Sequence, residues 1–268
     1  MLIIGELINA TRKSVKEAVI NQDVDFLKDL AQKQDEAGSH YIDVNVATGV
    51  GKQEKEIEYM RWAVKSLKEV TEKPLSIDTA TEDVLRAGLE EHGPGAMINS
   101  VAAEEGRLTP FLKLAKEYEC KVIALPATEE EGIPKDVETR VKIAQKIVEE
   151  ARNQGFPPED LFFDPLAMPL GVDDNSGLIA INAIRAFKEQ LNVCTTVGLT
   201  NISHGLPVRA LLNRTFLTLA RGFGLDSAIL NPLDKAVMSS LMATEAFLGN
   251  DPFCGEYLKA YRKGILET

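Results

Sequence analysis

The sequence predicts a single-domain (β/α)8 TIM barrel over residues 1–268, and three observations carry that prediction. Short β-branched and aliphatic runs alternate with longer amphipathic segments along the whole chain, which argues for a parallel sheet with helices outside it. Eight strand–helix units share the chain at about 33 residues each, the length a right-handed βαβ unit needs. No linker or composition break divides the repeats, so eight in succession argue for closure into a barrel. The rival is an open doubly wound sheet, which usually carries a Gly-rich phosphate turn after its first strand. Glu6-Leu7-Ile8-Asn9-Ala10 is no such turn.

The elements follow from hydrophobic periodicity and from Gly and Pro punctuation. Leu2–Ile8 is the first strand, and Leu27, Leu30, Ala31 and Gln34 mark a helix ended by Gly38. His40–Val46 is the second strand and Ile57–Val70 its helix. Pro74–Asp78 is the third, with Glu82–Glu91 helical and stopped by Gly93-Pro94. Ala96–Asn99 is the fourth, followed by the helix Leu108–Tyr118. Lys121–Pro126 is the fifth, then an acidic loop and a helix over Val137–Asn153. Leu161–Asp164 is the sixth, with Leu178–Glu189 helical. Cys194–Thr200 is the seventh, with a helix from Val208 to Arg221. Ser227–Leu230 is the eighth, with Lys235–Leu248 helical and a short final helix over Pro252–Lys263.

Composition removes several function classes. Thirty Lys and Arg against 41 Asp and Glu leave a net charge of −11, and an acidic surface repels nucleic-acid phosphates. Cys120, Cys194 and Cys254 lie far apart with no C-x-x-C, so a reducing compartment is expected, with no zinc site. Leu2-Ile3-Ile4 is interrupted by Glu6 and lacks a basic leader, unlike a signal peptide. No apolar run approaches the ~18–20 residues of a membrane helix. The expected protein is soluble and cytoplasmic.

In a barrel, side chains at the C-terminal strand ends converge on one mouth, where the chemistry happens. Here those positions hold Glu6 and Asn9, Asp43 and Asn45, Asp78, Asn99, Asp164, Asn201 and Asn231. Asp and Asn at strand-to-helix junctions can equally be helix N-caps. Two details favour a site. Thr79-Ala80-Thr81-Glu82 reads as a capping box on Thr79 that leaves Asp78 free. Asp164 precedes Pro165-Leu166-Ala167-Met168-Pro169, which cannot continue into a helix, so it caps nothing nearby.

Absent motifs narrow the ligand. Gly49-Val50-Gly51-Lys52 is not a P-loop, and Gly222-Phe223-Gly224 lacks the third glycine of a dinucleotide fingerprint. There is no H-E-x-x-H, and His40, His92 and His204 are widely spaced. No spacing marks a metal site, although several carboxylates leave oxygen ligation open. Carboxylates interleaved with carboxamides suit a flat heterocycle with both donors and acceptors, such as a 2-amino-4-oxo-pterin. Its amino group and adjacent N–H form a two-pronged donor that one carboxylate accepts.

At these residues the chain resembles the pterin-binding methyltransferases, above all the methyltetrahydrofolate:corrinoid protein methyltransferases. The likeness rests on Met1-Leu2-Ile3-Ile4-Gly5-Glu6 with Ile8-Asn9, Asp43-Val44-Asn45-Val46, Asp78, and Ala96-Met97-Ile98-Asn99-Ser100. It continues through Gly132-Ile133-Pro134-Lys135-Asp136, Asp164-Pro165-Leu166, Val197-Gly198-Leu199-Thr200-Asn201 and Leu212-Asn213-Arg214-Thr215-Phe216-Leu217. It implies a homodimeric barrel that binds methyltetrahydrofolate or tetrahydrofolate as substrate, with no tightly bound cofactor of its own. Asp78, Asn99 and Asp164 would hold the ring, with Asn201 near N5 as the catalytic residue, and the substrate tail would point outward. A corrinoid protein would bring its cobalt from above. That partner is expected to be either a corrinoid iron–sulfur protein of acetyl synthesis or a demethylase-system corrinoid protein.

Smaller expectations accompany this one. Glu6 and Asp43 tune the charge of the cup or bond to backbone beneath it. Arg209 pairs with the substrate or with a mouth carboxylate, and His204 is a rim residue or a donor to the substrate. Glu129-Glu130-Glu131 is a solvated loop or a docking surface. Cys120 and Cys194 are buried fillers. Met238, Leu241, Met242 and Phe247 form a core stripe, part of which could pack in a dimer. The rival enzyme is dihydropteroate synthase, whose family carries a Lys after the seventh strand and an Arg and a His after the eighth. Here those places hold Asn201 and Leu230-Asn231-Pro232. A non-catalytic pterin-binding or corrinoid-docking subunit is the other alternative.

Overall fold

A computed structural model of the protein describes residues 1–104, 106–130 and 132–267. Its strands are β1 (Leu2–Asn9), β2 (Tyr41–Asn45), β3 (Leu75–Asp78), β4 (Met97–Ala102), β5 (Lys121–Leu125), β6 (Leu161–Phe163), β7 (Cys194–Thr195) and β8 (Ser227–Leu230). Its longer helices are α1 (Lys13–Asn21), α2 (Val24–Glu36), α3 (Gln53–Leu67), α4 (Glu82–His92), α5 (Leu108–Glu117) and α6 (Val137–Asn153). They continue with α7 (Ser176–Ala186), α8 (Arg209–Gly222), α9 (Lys235–Phe247) and α10 (Gly255–Arg262). All strand pairs are parallel, in the order β7-β6-β5-β4-β3-β2-β1-β8. A bridge from Gly198 to Ile229 joins the two ends, so the sheet closes as the sequence predicts.

Two packed layers follow from strand alternation. Residues on one face, such as Ile42, Ile77, Ile98, Val122 and Phe163, meet the apolar faces of the surrounding helices. Residues on the other face, Ile4, Tyr41, Met97, Ile123 and Phe162, fill the barrel interior. The interior is thus a plugged core, and the only way for a ligand to meet the strands is from their ends.

Three local departures from the sequence reading have identifiable causes. The segment before Gly38 holds two helices, not one: Gln22 adopts a left-handed backbone (φ 51°) and Asp23 caps α2 by accepting from the Phe26 N–H. The box on Thr79 does not form. Thr81 is the N-cap of α4 and Thr79 Oγ1 accepts from the Thr81 N–H instead, which still leaves Asp78 free. The seventh strand ends at Thr195, and Leu199–Ser203 winds into a 3-10 turn.

Candidate active site

Alternation also builds the site. Side chains two residues apart on a strand share a face, so the polar ring stands directly above the interior core. Glu6 follows Ile4, Asp43 follows Tyr41, Asn99 follows Met97 and Asp164 follows Phe162, with Asp78 above Ser76. These five side chains and Asn201 line one cavity of about 580 Å³ at the strands' C-terminal ends, with Leu166, Met168 and Ile133 as apolar wall. Glu6 is aimed by a bulge in β1 between Gly5 and Ile8. The bulge frees the Leu7 N–H from the ladder, and the buried Gln34 Oε1 accepts it at 3.0 Å. A Cβ on Gly5 would stand 2.4 Å from that oxygen, so only glycine leaves room for it.

Asp43 is the hub of the acidic side. It is buried, and its Oδ1 accepts from Ser76 Oγ at 2.7 Å and from Asn99 Nδ2 at 3.0 Å. The Asp78 carboxyl stands next to it, and its own Oδ2 accepts from Asn45 Nδ2 at 3.0 Å. Burial and the adjacent Asp78 push Asp43 well above the usual carboxylate range, and burial lifts Asp78 to about 6. Both carboxyls therefore hold a proton more readily than a solvent-exposed aspartate does. One N–H of Asn99 Nδ2 is taken by Asp43, which leaves its carbonyl oxygen and second N–H for a ligand.

Asp164 anchors the opposite side. Its Oδ1 accepts from the Leu166 N–H at 2.7 Å and its Oδ2 from the Gly198 N–H at 3.3 Å. The expectation that it caps nothing nearby is corrected in part: it caps no helix but organises its own loop. Capture of the Gly198 amide helps to end the β6–β7 ladder where it does. Burial still raises Asp164 to about 6 against these bonds and the Arg140 charge. Arg140, on α6, is buried and donates to the carbonyls of Pro134, Pro165 and Leu166, tying the loops after β5 and β6 together.

Glu6 meets Arg12 Nη2 at 2.7 Å and Thr200 Oγ1 at 3.3 Å, while burial raises its pKa despite the Arg12 charge. Arg12, in the first loop, is a cavity residue that periodicity could not reveal. Asn201 stands on the 3-10 turn, exposed to the cavity, and its carboxamide bonds to no described residue. A Cβ on Gly198 would lie 2.9 Å from Asn201 Nδ2, so glycine there clears the carboxamide's position. Arg209 does not reach the cavity. Its guanidinium is spent on Ser203 Oγ at 3.0 Å and the Thr200 carbonyl at 2.8 Å, bracing the turn that carries Asn201. His204 lines the cavity from the rim.

The remaining strand-end amides stand apart. Asn45 supports Asp78 from outside the lining, Asn231 accepts from the Leu233 N–H, and Asn9 lines the cavity while accepting from Thr11. Among the described residues, no group of three or more His, Cys, Asp or Glu is placed to hold a metal ion. No described helix is long and apolar enough to cross a membrane. Cys120 is buried, Cys194 only partly so. Of the acidic run, Glu129 and Glu130 are described and Glu131 lies outside the described residues. The stripe on α9 splits: Met238 and Leu241 are buried, whereas Phe247 is 92% exposed and lies outside the core.

Residues 5–231 match the pterin binding enzyme family. The chain belongs to that family. Along 98% of its length it is 35% identical to a methylcorrinoid:tetrahydrofolate methyltransferase of Eubacterium limosum, covering 97% of that protein. It is 33% identical to methionine synthase of Mycobacterium leprae over 86% of this chain, which corresponds to 20% of that longer enzyme. Among solved structures, a Yersinia pestis dihydropteroate synthase bound to a pterin–sulfa conjugate superposes with a TM-score of 0.71 at 15% identity, covering 93% of each chain. That likeness shows the fold, the TIM barrel common to this family.

Proposed function

We propose that this protein is a methyltransferase that moves the N5-methyl group between methyltetrahydrofolate and the cobalt of a corrinoid protein. The observation that carries the reading is the identity to a methylcorrinoid:tetrahydrofolate methyltransferase along nearly the full chain. The cup supports it, because its groups match a pterin edge. An ionised Asp78 or Asp164 accepts the two-pronged amino and N–H donor, while the Asn99 carbonyl accepts a further ring N–H. Burial and the adjacent Asp78 disfavour ionisation of Asp43 beneath them, which limits the negative charge on that side.

Methyl transfer to a Co(I) nucleophile breaks the C–N5 bond in line, and the bonding pair stays on N5. N5 then leaves as an amide-like anion unless a proton is already there, so the site must favour a protonated N5 in the transition state. Asn201 is suited to this: its free carboxamide swings toward N5 and stabilises the proton, which solvent delivers, because a carboxamide does not titrate. In the opposite direction the N5 lone pair attacks the methyl carbon, the Co–C pair returns to cobalt, and the same contact serves the same transition state. The chain works in the cytoplasm as a homodimer, docking the corrinoid protein over the open mouth. Its three unpaired cysteines support the compartment, and its exposed Phe247 and Phe253 support a second copy.

Mixing the protein with free cob(I)alamin and methyltetrahydrofolate tests the reading. Loss of the Co(I) absorption at an enzyme-dependent rate is expected. Binding without turnover would make the protein a carrier, and a requirement for p-aminobenzoate and a pterin pyrophosphate would make it a synthase.

A further inference from the structure

A carboxamide holds a proton at N5 but supplies none, so the proton must pass through a group that titrates or through water. Among the described residues, the titratable side chains lining the cavity are Glu6, Arg12, Asp43, Asp78, Asp164 and His204. Five of them are engaged. Glu6 and Arg12 are paired with each other, and Asp164 holds the Leu166 and Gly198 amides. Asp43 and Asp78 accept from Ser76, Asn99 and Asn45. His204 differs, because its imidazole bonds to no described residue and it is exposed at the rim, between cavity and solvent. The turn fixes its place. His204 closes the 3-10 segment Leu199–Ser203, and its N–H donates to the Asn201 carbonyl at 3.1 Å. Side chains three apart in this geometry eclipse, about 6 Å apart along the axis, so Asn201 and His204 share one face of the turn and both line the cavity. Ser203 Oγ donates to the Thr200 carbonyl at 3.3 Å and Arg209 bonds to both, which stiffens that turn from behind.

We propose that His204 is the relay through which a solvent proton reaches N5, acting beside Asn201, a proposal that rests on the methyltransferase reading. Imidazole is the side chain that changes charge between about pH 5 and 8, and its two nitrogens let it serve substrate and solvent together. With methyltetrahydrofolate as donor, the imidazolium gives its proton to the N5 lone pair, directly or through one water. The Co(I) pair then forms the Co–C bond, the C–N5 pair stays on N5, and tetrahydrofolate leaves with an N5–H. Solvent reprotonates the neutral imidazole. In the opposite direction the N5 lone pair attacks the methyl group, the Co–C pair returns to cobalt, and the neutral imidazole removes the proton from the N-methyl ammonium. The charges around His204 come in both signs: the Glu6–Arg12 pair from β1 and its loop, Asp164 from the end of β6, and Arg209 from α8. The loop after β6 adds Leu166, Ala167, Met168 and Pro169 to the cavity, which carry no charge.

The test measures single-turnover methyl transfer from methyltetrahydrofolate to cob(I)alamin, together with calorimetric binding of methyltetrahydrofolate, for full-length His204→Ala and His204→Gln. Both replace an exposed side chain, and Gln keeps a hydrogen-bonding group that does not titrate. Each variant is expected to lower the transfer rate about 10²-fold and to leave the affinity within about twofold of wild type. Added imidazole is expected to restore turnover to the Ala variant, in proportion to its protonated form. A wild-type rate in either variant would overturn the relay, as would a rate loss that follows a loss of binding or that imidazole leaves unchanged. Absence of turnover by the wild-type protein would instead overturn the methyltransferase reading itself.

Discussion

Asp43, Asp78 and Asp164 concentrate the chemistry of the cup, and their protonation makes it measurable. Asp78 and Asp164 are lifted from an ordinary 3.8 to about 6 by burial. Between those values the folded state binds more protons than the unfolded chain, so these groups add stability below the window and lose it as pH rises through about 6. The thermal midpoint of the ligand-free Asp164→Asn variant is expected to respond less to acidification from about pH 7 to about pH 5 than that of wild type. Ligand binding runs the other way. The carboxylate is the acceptor, so tetrahydrofolate affinity, read by calorimetry, is expected to fall as pH drops through about 6. Asp164→Asn should cost roughly 1.5–3 kcal/mol of binding, the value of a hydrogen bond to a charged group. Asn201→Ala should act differently, lowering single-turnover methyl transfer by about 10²–10³ with binding little changed. Full turnover in that variant would remove Asn201 from the mechanism.

At the scale of elements, the site depends on irregularities that periodicity does not encode. Strand ends were legible because alternation and Pro or Gly punctuation mark them, and Asp43, Asp78, Asn99 and Asp164 fell into place from that alone. The break between α1 and α2 was not, because Gln22 takes a left-handed backbone with no glycine to announce it. Nor was the turn carrying Asn201, whose predecessors Val197-Gly198-Leu199 read as a strand until the Asp164 carboxylate is seen holding the Gly198 amide. Arg209 reads equally well as a substrate ligand from sequence, and only the geometry turns it into a brace. Arg140 was silent because its partners are carbonyls, which leave no mark in a sequence. Arg140→Met strands those carbonyls and is expected to lower the unfolding free energy by roughly 1–3 kcal/mol in urea titrations. A variant as stable as wild type would show that the carbonyls find other donors.

For the molecule as a whole, the barrel explains why distant residues act together. Asp43 and Asn99 are 56 positions apart yet share a hydrogen bond, and Glu6 and Thr200 are 194 apart. Closure between β7 and β8 is what brings the Asn201 turn over the first strand's Glu6. The fold class was evident in the eightfold alternation of strands and helices. Crystals soaked with tetrahydrofolate test the central claim most directly. The ring is expected in the mouth, its amino edge within hydrogen-bond distance of Asp78, Asn99 or Asp164 and its N5 facing Asn201. Density for the ring elsewhere, with those four side chains untouched, would contradict it.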